Sequence, residues 1–300
     1  MTRGALCAVG ASLMMALMST AIRIASGELP NEMVVFLRNG FGLVALLPWI
    51  RAGGVSGLAT AQFSRHLLRS FSGLAAMYCF FYALGHLNLG EAVLLNFSAP
   101  LYIAPIALLW LGETMSWRVG WAAVVGFLGV ALILKPGSGF FTSAAMIGAL
   151  SGLLAAVAMV SVRGMSATEP SVRTVFYFTA IATVVSAVPL LWSWQTPTVS
   201  ALALMALAGF FATKGQLLLT RGYALAPAAR VGPYTYTTVI FASAIGWILW
   251  SEIPDALTIA GAVLIGVSGG LAMAGSKTPV SGTEELAAGV VSVAEHGHRT

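Results

Sequence analysis

The chain has 300 residues, of which 58% are hydrophobic and 8% are charged, and its net charge is +5. Soluble domains carry about 25% charged residues, so this composition excludes an ordinary soluble protein. Continuous apolar runs, rather than alternating polar and apolar residues, also exclude an outer-membrane β-barrel.

The apolar residues fall into ten runs, most of them about as long as the 20 residues that a helix needs to cross a hydrocarbon core. The first run is interpreted as a span and not as a signal peptide, because no small-residue cleavage site precedes Arg23. The polar tail 276–300 lacks aromatic residues and is expected to be disordered. The runs are 4–25, 31–50, 66–86, 92–111, 117–134, 144–164, 172–192, 200–221, 229–250 and 257–274.

The second five runs repeat features of the first five, at offsets of 139 to 141 residues. Tyr82-Ala83-Leu84 recurs as Tyr223-Ala224-Leu225, and Leu111-Gly112-Glu113 recurs as Trp250-Ser251-Glu252. A Gly-rich run follows each acidic step, with Gly120, Gly126 and Gly129 in the first half and Gly261, Gly266 and Gly270 in the second. We expect these glycines to permit close helix packing.

Because five is an odd number, the second unit must enter the membrane in the opposite orientation, as in transporters built from inverted repeats. We therefore predict an all-α membrane protein of ten transmembrane helices around a central cavity. The predicted units are a first five-helix repeat at 1–139, an inverted second repeat at 140–275 and a cytoplasmic tail at 276–300.

Lysine and arginine residues indicate the orientation, since cytoplasmic loops of membrane proteins are enriched in both. With a cytoplasmic N-terminus, the outer loops contain only Lys135, whereas the inner segments contain eleven lysines and arginines. We therefore predict two cytoplasmic termini and an extracellular turn at 135–143. The basic charge then requires no nucleic-acid partner. The inner residues are Arg3, Arg51, Arg65, Arg69, Arg118, Arg163, Arg173, Arg221, Arg230, Lys277 and Arg299.

Three ionisable residues lie inside predicted spans, where an unpaired charge is strongly disfavoured. Arg23 lies near the outer interface, and we expect its side chain to extend towards the headgroups. Arg38 lies about 10 Å inside the outer end of its helix, where it either meets a substrate carboxylate or caps helix carbonyls. Lys214, about 10 Å from the cytoplasmic end, either contacts an anion or forms a hydrogen bond at an inner gate.

No Asp or Glu lies at the middle of a predicted span. Neutral zwitterions or anions are therefore favoured over cationic drugs as ligands. Proton exchange through one buried carboxylate is disfavoured, which leaves uniport or less direct coupling.

Aromatic and amide side chains suggest where a ligand binds. Tyr78 and Tyr82 lie on one face of a helix at i and i+4, and Tyr234 and Tyr236 lie in the ninth run. Asn96 precedes Pro100 and Pro105, which are expected to interrupt the fourth helix. Either these residues serve helix packing, or they form the polar aromatic wall of a cavity, which we predict for the set.

The paired five-helix units, the Gly-Glu step before a Gly-rich helix and Arg38 early in the second run resemble the drug/metabolite transporter superfamily. Within it, the chain is similar to the ten-helix EamA-type exporters and especially to the aromatic amino-acid exporters. The resemblance implies a carrier of the inner membrane that exports amino acids or other small metabolites from a central cavity. The alternatives are a broad-specificity drug/metabolite exporter, a passive channel, a membrane enzyme or a non-transporting scaffold.

No metal or cofactor site is predicted. Cys7 and Cys79 lie within apolar runs, and no span contains a histidine cluster or a nucleophile with its base, so we predict that the chain is not an enzyme. The expected partners are a small-molecule substrate and the lipid bilayer. One chain suffices to enclose a cavity, and a dimer remains open.

Overall fold

A computed structural model describes residues 3–53, 58–111, 117–134, 142–165, 169–225 and 232–275. The described residues form helices and no strand, which confirms the all-α prediction. The predicted repeat boundary at 139/140 and the tail 276–300 lie outside the described residues. The α-helices are α1 (Arg3–Ala25), α2 (Asn31–Gly53), α3 (Phe63–His86), α4 (Leu89–Asn96), α5 (Ala99–Leu111), α6 (Trp117–Leu134), α7 (Ser143–Met165), α8 (Ser171–Ala187), α9 (Leu190–Ser193), α10 (Val199–Leu225), α11 (Thr237–Trp250) and α12 (Ala256–Gly275), and a 3-10 helix (Gly232–Tyr236) precedes α11.

Four of the described helical segments are long and apolar enough to cross a membrane by length and composition: Arg3–Ala25, Phe63–His86, Ser143–Val162 and Val199–Leu219. Every predicted run contains helix, but three runs are divided. Run 92–111 becomes α4 and α5, run 172–192 becomes α8 and α9, and run 229–250 becomes the 3-10 helix and α11. The number of ten crossings therefore stays a prediction.

Proline accounts for two of these interruptions. Pro100 is the second residue of α5, where the missing N–H of proline is tolerated, and the helix break precedes it at Phe97 and Ser98. Pro189 separates α8 from α9 in the same way. The fourth run is thus interrupted just before Pro100, whereas α5 continues through Pro105.

Three helix pairs make the most extensive contacts between the described elements: α1 with α10, α3 with α7, and α6 with α12. The main core consists of small and branched apolar side chains from α1, α2, α3, α4 and α10. Large apolar side chains are exposed on the outer faces, as Leu6, Val44, Trp121, Val184 and Ile240 illustrate. So much exposed apolar surface is expected of a protein that faces lipid.

Small residues bring α6 and α12 into close contact. A Cβ atom on Gly129 would lie 2.8 Å from the carbonyl oxygen of Gly261, and a Cβ on Gly261 would lie 2.6 Å from that of Gly129. Backbone atoms cannot move aside as a flexible side chain can. The predicted packing role is confirmed for these two glycines, whereas a Cβ on Gly266 or Gly270 would meet nothing within 4 Å.

This difference yields a matched pair of alanine substitutions. We expect Gly261→Ala to lower the free energy of unfolding by about 2 kcal/mol, as overpacking commonly does, because its methyl group overlaps backbone. Gly266→Ala, on the same helix, should leave it nearly unchanged. The measurement is the thermal unfolding midpoint of each purified variant in detergent. Equal midpoints for the two variants would contradict the close α6–α12 contact.

Candidate functional site

Arg38 is a buried cation without a carboxylate partner among the described residues. Its side chain lies in the first third of α2, and the residue is only 9% exposed. One guanidinium nitrogen, Nη1, donates a hydrogen bond to Asn39 Oδ1 at 2.9 Å, while the buried Nε has no partner. Burying a charge without a counter-ion is strongly unfavourable, so this arrangement requires an explanation.

Asn39 holds the Arg38 side chain in place. It is fully buried, and its amide nitrogen donates to the carbonyl of Val35 at 2.8 Å and lies 3.2 Å from Met77 Sδ on α3. The amide oxygen is thereby fixed towards Arg38. Arg38 is therefore anchored at one nitrogen and retains further N–H donors for another group.

The carboxylates of the described residues lie near helix ends or in loops, and most of them have partners other than Arg38. Glu28 accepts from Thr198, Glu91 from Thr258, and Asp255 from the backbone N–H of Thr258. Glu32, in the first turn of α2, lies beside Tyr78. Glu169 and Glu252 belong to two clusters treated below. None of these residues neutralises Arg38.

Tyr78 and Tyr82, on α3, have different surroundings. The hydroxyl of Tyr78 is buried without a hydrogen-bond partner, and its carbonyl accepts from the Asn31 amide at 3.0 Å. The ring of Tyr82 instead stacks on His86 at a centroid distance of 4.1 Å. Tyr78 thus offers a free hydroxyl inside the bundle, and Tyr82 is engaged at the end of its helix.

Asn96 and Tyr234 lie at the two interrupted helices. Asn96 is the last residue of α4, and its amide donates to Ser151 Oγ on α7 at 3.2 Å. The hydroxyl of Ser12 on α1 donates to the carbonyls of Tyr234 and Thr235, at 3.1 and 3.3 Å. The serine on α1 thus satisfies backbone carbonyls at the break before α11, as polar groups in a membrane require, whereas the contact at Asn96 joins two side chains.

Tyr236 has a buried hydroxyl without a partner and lines a cavity of about 450 Å³ between α4, α11 and α12. The cavity wall is mostly apolar, with polar groups from Asn88, Glu91, Ser243 and Glu252. Arg38, Tyr78 and Tyr82 do not line it. Among the predicted binding residues, Tyr236 is thus the one that lines this particular cavity.

Lys214 lies apart from Arg38. Its side chain is exposed and shares one face of α10, at i−4 and i−7, with the exposed side chains of Phe210 and Leu207. The opposite face of α10, including Met205 and Ala212, is buried. The predicted role of Lys214, an anion contact or a hydrogen bond at an inner gate, therefore stays a prediction. Sequence hydropathy does not distinguish the faces of a helix that is apolar all round.

Arg69 is a half-buried arginine that the sequence interpretation assigned to the cytoplasmic side. Its Nε is buried without a partner, and its guanidinium carbon lies 4.2 Å from the centre of the Phe178 ring on α8. Helix α3 begins at Phe63, earlier than the predicted start at 66, so Arg69 lies about 9 Å inside the helix. If the start of α3 had been predicted at Phe63, Arg69 would have been recognised as an ionisable residue inside the span.

Arg23 forms an ion pair that sequence reasoning missed. Its Nη1 donates to Glu252 Oε2 at 2.8 Å and its Nη2 to Glu252 Oε1, and both side chains are largely buried. Glu252 also accepts the backbone N–H of Leu89 at 2.9 Å, and the Arg23 guanidinium lies 4.4 Å from the centre of the Trp250 ring. Arg23 therefore connects α1 to α4 and to the α11–α12 link, instead of extending into headgroups.

A second missed cluster surrounds Glu169, between α7 and α8. Thr60 donates to Glu169 Oε1 at 2.7 Å, Arg173 donates to Oε2 at 3.1 Å, and His66 Nε2 lies 3.2 Å from Oε2. Arg173 is only four residues from Glu169, but Thr60 and His66 are more than 100 residues away, so no local pattern indicates the whole cluster. Burial raises the pKa of Glu169, but the hydrogen bonds from Thr60, His66 and Arg173 lower it more, and the net pKa lies below its ordinary 4.5.

The direction of this shift predicts a pH dependence. A carboxylate with a lowered pKa stabilises the folded state above pH 4.5, and the contribution is lost as the pH falls below that value. We expect the unfolding midpoint of the wild type to fall more between pH 7 and pH 4 than that of Glu169→Gln. Glu28→Gln, whose carboxylate has an exposed contact with Thr198, is the matched control. A Glu169→Gln midpoint that falls as steeply as the wild type would contradict this role.

Three comparisons with known proteins agree with this architecture. Two segments, 2–135 and 142–273, match the model of the EamA-like transporter family. A solved crystal structure with 20% sequence identity covers 90% of this chain and 96% of its own, with a TM-score of 0.60, and this likeness shows the fold alone.

Several curated relatives are transporters of metabolites. The chain is 37% identical to the pseudopaline exporter CntI of Pseudomonas aeruginosa, over 88% of this chain and 94% of the relative. It is 27% identical to an S-adenosylmethionine uptake transporter of Rickettsia bellii, over 77% and 80% of the two chains. It is 26% identical to a riboflavin transporter of Vibrio cholerae, over 89% and 91%.

Proposed function

Because the chain belongs to the EamA-like transporter family, we propose that it exports amino acids and similar small carboxylates across the inner membrane. Membership of this family makes it a multi-pass membrane protein that transports metabolites, and not an enzyme. The observation that carries this proposal is the buried guanidinium of Arg38 without a carboxylate partner in the described structure. A substrate carboxylate supplies the missing counter-ion. A charged hydrogen bond formed in this way is stronger than a neutral one.

Aromatic and other apolar amino acids are the favoured substrates. Tyr78 offers an unpartnered hydroxyl and an aromatic ring, which together suit an apolar side chain and its polar groups. Four further predicted residues remain candidates for the proposed pathway at a helix end and at two helix breaks: Tyr82, Asn96, Tyr234 and Tyr236. Lys214, on the exposed face of α10, also remains a candidate.

Alternating access between inverted repeats is the proposed mechanism, and two serine contacts support it. Ser12 contacts the backbone of Thr235, and Ser151 contacts Asn96. Ser151 is 139 residues after Ser12, and Thr235 is 139 residues after Asn96, which is one of the offsets found in the sequence. In an inverted repeat, Ser12 of the first half corresponds to Ser151 of the second half, and Asn96 of the first half corresponds to Thr235 of the second. The Ser12–Thr235 contact is therefore the counterpart of the Ser151–Asn96 contact.

The helix breaks and helix pairs follow the same relation. The interruption after α4 at Phe97 and the end of the 3-10 helix at Tyr236 are also 139 residues apart. In the same relation, α1 corresponds to α7 and α10 corresponds to α3. The α1–α10 and α3–α7 pairs are therefore equivalent, and both make extensive contacts. We propose that the predicted third, fourth, eighth and ninth helices rock against the others around the site.

The test of the proposed substrate class is uptake into proteoliposomes that contain the purified chain. Phenylalanine should enter at a saturable rate, and phenylalaninamide, which lacks the carboxylate, should enter at least tenfold more slowly. Equal rates for acid and amide would overturn the carboxylate proposal.

The proposed orientation has its own test. In a chain whose Cys7 and Cys79 are replaced by serine, a cysteine introduced as Ser138→Cys should react with an impermeant maleimide in intact cells, because the lysine and arginine asymmetry places the 135–143 turn outside. Arg51→Cys, at the opposite end of a predicted span, should react only after lysis. The reverse pattern would place both termini outside.

A further inference from the structure

Arg38 is accompanied by Arg69, a second cation, which is half-buried. Arg38 lies on α2 and Arg69 on α3, and each has a buried Nε without a partner. Apart from the Arg38–Asn39 bond, neither guanidinium hydrogen-bonds to any described residue, and neither pairs with a described carboxylate. We propose that the two guanidiniums form one binding site for a metabolite with two carboxylate groups. This inference rests on the proposed function as a carboxylate transporter and specifies its substrate class.

Helix packing places both residues in one region. Arg69 lies against Phe178 of α8, and the neighbouring Thr179 lies 3.8 Å from where a Cβ on Gly42 of α2 would be. Gly42 is one turn after Arg38. Helices α2, α3 and α8 therefore meet around the two guanidiniums, and the charge of Arg69 acts on Arg38.

The position of Arg69 depends on a glycine. The Arg69 side chain runs along its own helix, so that a Cβ on Gly73 would overlap Arg69 Nη1 and would lie 3.0 Å from the Phe178 ring. The absence of a side chain at Gly73 leaves the space that the guanidinium occupies. Arg69 is thus held inside the bundle and does not extend to the cytoplasmic interface.

Two like charges in this position oppose folding in the absence of a ligand. The Phe178 ring attracts Arg69 but brings no negative charge, and Asn39 is neutral. A zwitterionic amino acid has no net charge, so its binding leaves the net positive charge of the two guanidiniums unchanged. A ligand with a second carboxylate supplies one anion for each guanidinium fork.

The test uses three ligands with the same aromatic side chain. Phenylalaninamide has no carboxylate, phenylalanine has one, and N-carboxymethylphenylalanine has two. We expect the ligand-induced rise in unfolding midpoint, and the affinity derived from it, to increase along this series. The second carboxylate should improve affinity by about tenfold or more, as a charged hydrogen bond commonly does.

Arg69→Gln separates this role from a structural one. The variant should lose the preference for two carboxylates over one, while phenylalanine uptake falls much less. Without ligand, its unfolding midpoint should rise, because one of two like charges is removed. Arg69→Lys should retain part of the preference. Arg65→Gln, an exposed arginine one turn earlier on α3, should behave as the wild type.

Each alternative result is decisive. If the wild type binds phenylalanine and its N-carboxymethyl derivative equally, and Arg69→Gln changes nothing, the dicarboxylate site is wrong while the proposed function stands. If none of the three ligands binds or is transported, the proposed function is wrong as well. If Arg69→Gln lowers the unfolding midpoint but keeps the preference for two carboxylates, Arg69 has a role in helix packing and not in ligand binding. Inorganic phosphate that stabilises the wild type as much as the dicarboxylate would replace the proposed ligand class with a compact dianion.

Discussion

Replacing Arg38 with glutamine should lower kcat/KM for phenylalanine uptake about 100-fold. The guanidinium is buried and lacks a described carboxylate partner, so the substrate carboxylate is its proposed counter-ion. A hydrogen bond to a charged group contributes about 1.5–3 kcal/mol, and the upper end of that range corresponds to about 100-fold. The measurement is the initial rate of uptake into proteoliposomes over a range of phenylalanine concentrations.

Arg51→Gln is the matched control for this substitution. Arg51 lies on the same helix but is exposed in its last turn, so its loss should leave kcat/KM within about twofold. Arg38→Lys keeps the charge without the planar fork and should be intermediate. Wild-type kcat/KM in Arg38→Gln would exclude a substrate contact at this position and leave helix packing as its role.

Breaking the Arg23–Glu252 ion pair should have the largest effect on stability. Both side chains are largely buried, and removing one partner of a buried pair leaves the other charge uncompensated. We expect Glu252→Gln to lower the free energy of unfolding by about 3 kcal/mol, and Arg23→Gln by a similar amount. The measurement is thermal unfolding in detergent, with Glu28→Gln as an exposed acidic control.

The double variant identifies the cause of this loss. Arg23→Gln combined with Glu252→Gln removes both charges, so its unfolding midpoint should lie above the value expected from adding the two single effects. Strict additivity would show that the two residues stabilise the fold independently. In the proposed orientation this pair lies at the outer ends of α1 and α11, where its rupture is expected to favour opening to the outside.

The sequence was sufficient to predict helices and to single out Arg38. Apolar runs marked every helical region, because a lipid environment permits few charges, and a charge inside such a run is conspicuous. The glycines of the fifth and tenth runs were interpreted correctly at Gly129 and Gly261. Pro100 likewise indicated the interruption between α4 and α5.

The remaining features depend on information that a local pattern does not contain. The exposed position of Lys214 could not be predicted, because α10 is apolar on several faces and hydropathy does not encode its rotation about the helix axis. Arg69 was assigned to the interface because the start of α3 was placed three residues late. The Arg23–Glu252 contact joins residues 229 positions apart, and such pairings follow from tertiary packing alone.

Counterflow in proteoliposomes tests the central claim, that this chain is a carrier with a carboxylate site that faces one side at a time. Vesicles are loaded with unlabelled phenylalanine, diluted into a trace of labelled phenylalanine and followed over time. A carrier predicts transient accumulation of label above its equilibrium level, and Arg38→Gln should abolish this accumulation. Label that approaches equilibrium without an overshoot in wild-type vesicles would contradict alternating access.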